Sequence, residues 1–170
     1  MNFKRNLVLV VLTSIITFSA APALAQDAAV ILSGPDLTRV VPTSFYFQGL
    51  SASTQIRNAA AARFGDKRYV VVGLVDTSGY AADVRAKYEG FFITDSPIKI
   101  NGSDLGTGAY GFGFSGAGKM QILDLAGNEI LSVSTAKDAD LKRPRPLMMS
   151  KIGDGVRLYS GKDYVTITAR

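Results

Sequence analysis

The stretch Ile98–Phe114, IKINGSDLGTGAYGFGF, decides the fold. It reads as a strand, a tight turn at Asn101-Gly102, a short return through Leu105, a glycine turn and a second strand. In that second strand Tyr110, Phe112 and Phe114 share one face. Gly111 and Gly113 lie on the other face, which carries almost no side chains. Such a face lets a backbone, an aromatic ring or a ligand come close. Tyr110, Gly111, Phe112 and Gly113 are therefore the candidate ligand-binding residues, beside the interior of a β fold. The segment Gly102–Gly118 holds seven glycines, more than a helix would tolerate.

The same strand–turn–strand pattern extends on both sides. Upstream, Arg68–Asp76 (RYVVVGLVD) is apolar on both faces. It reads as a central strand buried on both sides. Thr43–Leu50 (TSFYFQGL) is strand-like, with Phe45 and Phe47 opposite Tyr46. Residues 51–64 fit two readings. Ala59–Ala62 suits a helix, but no wide apolar stripe accompanies it. A strand turning at Gly65-Asp66 into the next one is favoured. Residues 81–89 can form a short helix lined by Ala81, Val84 and Tyr88, with a change to strand near Glu89-Gly90. Downstream, Lys119–Leu125 and Glu129–Ser134 make a hairpin across Ala126-Gly127-Asn128. Val156–Tyr159 and Tyr164–Thr168 form a last pair, the latter with a half-buried, edge-side pattern. Residues 26–42, broken by Gly34-Pro35 and Pro42, read as a loose or edge-strand lead-in.

The expected fold is all-β: one domain over 43–170, a sandwich or small barrel of about eight mostly antiparallel strands, with at most one short helix. The order from Ile98 to Tyr110, hydrophobic–x–Ile–Asn–Gly–x–x–Leu–x–x–Gly–x–Tyr, resembles a unit of secreted bacterial β-sandwich domains of unknown function. That resemblance implies a fold, and no functional residue with it.

Lys4 and Arg5, the apolar run Leu7–Phe18 and Ala23-Leu24-Ala25 have the layout of a cleaved signal peptide. Export to the periplasm or beyond is expected, after cleavage near Ala25/Gln26. The apolar run is short for a bilayer span, so an integral membrane protein is not expected. Cleavage removes two lysine or arginine charges from a net charge of +5. The remaining charge is too mild to suggest nucleic acid. The chain has no cysteine, histidine or tryptophan. It lacks the usual metal ligands and the usual general base.

Several motifs resemble catalytic ones. Gly106–Gly111 matches G-x-G-x-x-G, but a strand pattern follows where a dinucleotide site needs a helix. Gly113–Lys119 matches G-x-x-x-x-G-K, but Met120 replaces the Ser or Thr that holds magnesium. Asp76-Thr77-Ser78-Gly79, after Leu74-Val75, is similar to the aspartic-protease loop, with Ser78 intruding before the glycine. An aspartyl-type hydrolase through Asp76 is the remote reading. An Asx turn at a strand end is the plain one. Asp95, Asp104, Asp124, Asp138, Asp140 and Asp154 lack calcium-loop spacing. Ser150-Lys151 would point to opposite faces of a strand. Lys142, Arg143 and Arg145, in the proline-spaced run KRPRP, are the candidate contacts for a protein, lipid or cell-wall partner. The expected function is an exported, non-catalytic binding or interaction module without cofactor or metal. A carrier of a small apolar ligand in the β interior is the alternative.

Overall fold

The computed structural model describes residues 28–170. The signal segment expected over 1–25 lies outside the described residues. In chain order the elements are β1 (Ala29–Ile31), α1 (Gly34–Val40), β2 (Ser44–Phe47), β3 (Leu50–Phe64), β4 (Arg68–Val75), α2 (Ala82–Arg85) and β5 (Gly90–Thr94). There follow β6 (Ile98–Ile100), β7 (Ser103–Leu105), β8 (Gly108–Ser115), β9 (Lys119–Leu123), β10 (Glu129–Ser134) and β11 (Ala136–Lys137). The last three are β12 (Arg145–Ile152), β13 (Gly155–Gly161) and β14 (Asp163–Ala169).

These form two antiparallel sheets, not a closed barrel. The larger runs β1-β3-β4-β5-β8-β9-β10, with β2 paired to β3. The smaller runs β12-β13-β14-β6-β7, with β11 paired to β14. Among the described residues the strands number fourteen, against about eight expected, because many are only a few residues long. The segment 98–114 is split between sheets: β6 and β7 belong to the smaller, β8 to the larger. Gly106-Thr107 is thus the crossing between layers. Asn101 and Gly102 both have positive φ, 47° and 84°, as a type I′ hairpin turn requires.

The inner core lies between the sheets. Ala60, Ala62, Val70, Val72, Phe92, Phe112 and Ile122 from the larger sheet meet Ile98, Ile100, Leu147, Val156, Leu158, Val165 and Ile167 from the smaller. A second core covers the opposite face of the larger sheet. There Ala61, Val71, Val75, Phe91 and Leu123 are capped by Val41, Phe45, Phe47, Ala52, Tyr80 and Tyr88. The larger sheet is therefore the middle of three layers, and β4 is buried on both faces as its sequence suggests. Ala59–Ala62 is strand for the same reason. Pairing of all four to β4, and of Ala62 to β1 as well, outweighs alanine's helix propensity.

Three expectations need correction. The lead-in is not loose. Ala29–Ile31 pairs with Ala62–Phe64 as the edge strand of the larger sheet, and Gly34–Val40 is a helix with proline in its first turn, where proline is tolerated. Thr43–Leu50 is not one strand, because Gln48 and Gly49 turn with φ 47° and 83°. Strand β14 is interior, between β13 and β6; its outward threonines face solvent across a sheet face rather than at an edge.

The glycine-faced strand is filled from within. A Cβ on Gly111 would lie 2.5 Å from the Phe47 ring, and one on Gly113 only 2.4 Å from the Lys87 carbonyl oxygen. The Phe47 ring stacks on Tyr88 at 3.9 Å between centroids. Gly111→Ala is expected to cost roughly 1 kcal/mol, since a ring can shift. Gly113→Ala should cost about 2–3 kcal/mol, since backbone must move. Gly116→Ala, with open space around it, should stay within about 0.5 kcal/mol. Urea unfolding of the three variants checks this ranking.

Candidate functional site at two facing bulges

The ligand-binding residues expected on β8 are all occupied by packing. Phe112 is fully buried in the inner core. The Tyr110 ring packs against that core, and its hydroxyl donates to the Gly106 carbonyl at 3.0 Å. Gly111 and Gly113 lie under Phe47 and the Lys87–Tyr88 backbone. The space an interior ligand would need there is taken by the chain itself.

The Asp76 loop is a turn. The Asp76 carboxylate accepts the Ser78 backbone N–H at 3.0 Å. That bond, first, holds the exposed carboxyl below its ordinary range. Gly79 lies under Leu50, and Thr77 lines a polar cavity. Gly108–Gly111 of the G-x-G-x-x-G stretch already belong to strand β8, so no helix N-terminus faces a phosphate. Four of the six aspartates weighed as calcium ligands have local duties. Asp95 accepts the Tyr69 N–H, Asp124 accepts from Ala126 and Asn128, and Asp138 accepts from Tyr159. Asp104 pairs with Lys99 and Arg170. Among the described residues no three acidic side chains gather into a metal-holding group.

A more open site lies where β3 and β12 face each other. Strand β3 pairs Thr54 with Val75 and then Ala59 with Gly73, so residues 55–58 bulge out against the single Leu74. The bulge is closed by two hydrogen bonds: Asn58 Nδ2 to Gln55 Oε1 at 2.8 Å, and Gln55 Nε2 to the Val75 carbonyl at 3.0 Å. Strand β12 is irregular between Arg145 and Met148, where Pro146 offers no N–H to the ladder. Bulges re-aim side chains. These two send Arg57 and Arg145 to the rim of one cleft of about 370 Å³.

The cleft walls are mostly apolar: Ile31 of β1 and Leu32 after it, Leu37 of α1, Ala59 and Ala60 of β3, and Leu147, Met148 and Met149 of β12. Methionine adapts to irregular shapes. Arg57 and Arg145 are exposed, and neither has an ion pair or side-chain hydrogen bond among the described residues. Across Ile31–Ser33 lies a second cavity of about 310 Å³, where Arg39 is already paired to Asp36 at 3.8 Å. Of the residues expected to meet a partner, Arg145 lines the cleft. Lys142 and Arg143 are exposed on the loop leading into it and are not among its lining residues.

Sequence reasoning missed Arg57 and the part played by α1. One signal existed: the run Gln55-Ile56-Arg57-Asn58 breaks the alternation of an otherwise apolar strand, as a bulge does.

Glu89 stands on the other side of Pro146. Burial raises its carboxyl above the ordinary range, and the N–H of Phe114, which the carboxylate accepts at 3.1 Å, only partly offsets this. No helix among the described residues is long and apolar enough to cross a membrane. No family model, curated protein or solved structure matches the chain, so function rests on geometry.

A carboxyl raised in the folded state favours the protonated form there. Its contribution to stability is therefore full below the ordinary glutamate range and is lost as pH rises through the raised value. Melting temperatures of the wild type and Glu89→Gln across pH 4–8 should show the wild type losing stability relative to the variant as pH rises. Parallel curves would mean that Glu89 is not desolvated.

Proposed function

We propose that the protein is an exported, non-catalytic binding module whose cleft takes an apolar chain ending in an anionic head, a phosphate or a carboxylate. The observation that supports this reading is the convergence of two unpaired arginines, Arg57 and Arg145, on one apolar-walled cleft. An unpaired guanidinium offers a planar fork that suits a phosphate or carboxylate. The leucine, isoleucine and methionine walls suit the chain, since each buried CH₂ contributes about 0.8 kcal/mol. A volume of about 370 Å³ sits near the small end of ligand pockets. The ligand is thus a short amphiphile, or one end of a longer one whose remainder runs out over the surface. Lys142 and Arg143 extend the positive charge outside the cleft and draw anions toward it.

The ligand then lies at the surface seam rather than in the β interior, and is amphiphilic rather than purely apolar. The test is a calorimetric titration of the exported protein with octyl phosphate, 1-octanol and inorganic phosphate. Octyl phosphate should bind best. Arg57→Gln combined with Arg145→Gln should weaken it at least about tenfold, each lost charged hydrogen bond being worth ~1.5–3 kcal/mol, while leaving 1-octanol unchanged. Leu37→Asp should weaken both chains. Equal binding of octyl phosphate to the double variant, or no binding, contradicts the proposal.

A further inference from the structure

A separate polar cavity of about 280 Å³ opens on the far side of Pro146. Its lining includes Thr77, Arg85, Glu89 and Ser160. Helical bonding continues past α2, with the Tyr88 N–H donating to the Val84 carbonyl at 2.9 Å. At Glu89 the chain leaves the helical turn, and its N–H donates to the Phe112 carbonyl at 2.8 Å. One carboxylate oxygen, Oε2, is held by the Phe114 N–H. The other has no hydrogen bond among the described residues.

Arg85 and Glu89 are four residues apart, the spacing at which a helix ordinarily pairs opposite charges. Here they form no ion pair, and neither finds another ionic partner among the described residues. The turn into β5 has carried the Glu89 carboxylate toward β8. A half-buried carboxylate without a counter-charge is costly. The hydroxyls of Thr77 and Ser160 also make no hydrogen bond among the described residues. The cavity therefore presents one negative group, one positive group and two free hydroxyls.

We infer that this cavity binds a small α-amino acid through its zwitterionic head, the ammonium on Glu89 and the carboxylate on Arg85. A cation alone would meet the Arg85 charge, and an anion alone the Glu89 charge. A zwitterion satisfies both and adds no net charge to the site. The hydroxyls of Thr77 and Ser160 hydrogen-bond to the same head. The small volume suits a ligand of amino-acid size. Thr77 gives the Asp76–Gly79 turn a part in binding that its aspartate does not have. The site shares no lining residue with the arginine cleft, so either can fail without the other.

The test uses the whole exported protein. L-alanine and L-leucine are titrated by calorimetry up to about 10 mM, with acetate and ethylammonium as the two half-ligands. One amino acid should bind per chain, and each half-ligand at least about tenfold more weakly. Glu89→Gln keeps an oxygen for the Phe114 N–H, and Arg85→Gln changes an exposed side chain, so both variants keep the fold. Each should weaken amino-acid binding about tenfold or more while leaving octyl phosphate binding as in the wild type. The proposal is overturned if neither amino acid binds, if ethylammonium matches L-alanine, or if both variants bind like the wild type.

Discussion

The contact on which most of the structure depends is the Phe47 ring lying over Gly111 and stacked on Tyr88. It needs a bare position in β8, and a glycine provides it. Around it, Tyr80 meets Tyr88 edge-on at 5.2 Å, and Phe45 tilts onto Phe91 at 5.4 Å. The Tyr80 hydroxyl lies 3.1 Å from the Phe47 carbonyl and 3.0 Å from that of Leu50, so it fixes both ends of the Gln48-Gly49 turn. This aromatic layer seals the outer face of the larger sheet. The inner face is sealed by the second sheet. With both faces closed, the sheet has no interior room for a ligand beside β8, and binding is left to the seams where strands are interrupted.

Those seams are set by the same economy of packing. Residues 55–58 cannot continue the β3–β4 ladder and leave it as a bulge tied to Val75. Proline breaks β12 opposite them. Each interruption releases polar side chains from a fold that otherwise uses them in turns and ladders. Arg57 and Arg145 end on one side of Pro146, and Glu89 with Arg85 on the other. The tightly filled core and the unpaired charges at one end of the sandwich are thus two outcomes of one arrangement. Several aspartates elsewhere are consumed locally, as Asp124 is by the turn at Ala126-Gly127-Asn128.

Much of this was legible in the sequence. Apolar residues on both faces of Arg68–Asp76 showed a strand buried on both sides, and Asn101-Gly102 showed a tight turn. The bare face of β8 correctly signalled a close approach, but composition could not say whether a ring or a ligand made it; that depends on Phe47, more than sixty positions earlier. Gln48-Gly49 adopts the same backbone as Asn101-Gly102. Glutamine rarely takes positive φ, so that turn was invisible. Strand β14 looked like an edge because its threonines alternate with valine and isoleucine, yet a half-buried face is the same at an edge or in the middle of a sheet. The arginine cleft was half legible. Arg145 stood out in a cationic proline run, while Arg57 depends on a register shift that only strand pairing reveals.

The central claim is that binding occurs at the bulges and not beside the glycine-faced strand. Backbone amide NMR shifts of the isotope-labelled protein, followed as octyl phosphate is added, test it most directly. The account predicts shifts at Leu37, Arg57, Arg145, Leu147 and Met149, with Gly111 and Gly113 still. Shifts centred on Gly111 and Gly113, with the arginine cleft unmoved, would contradict it.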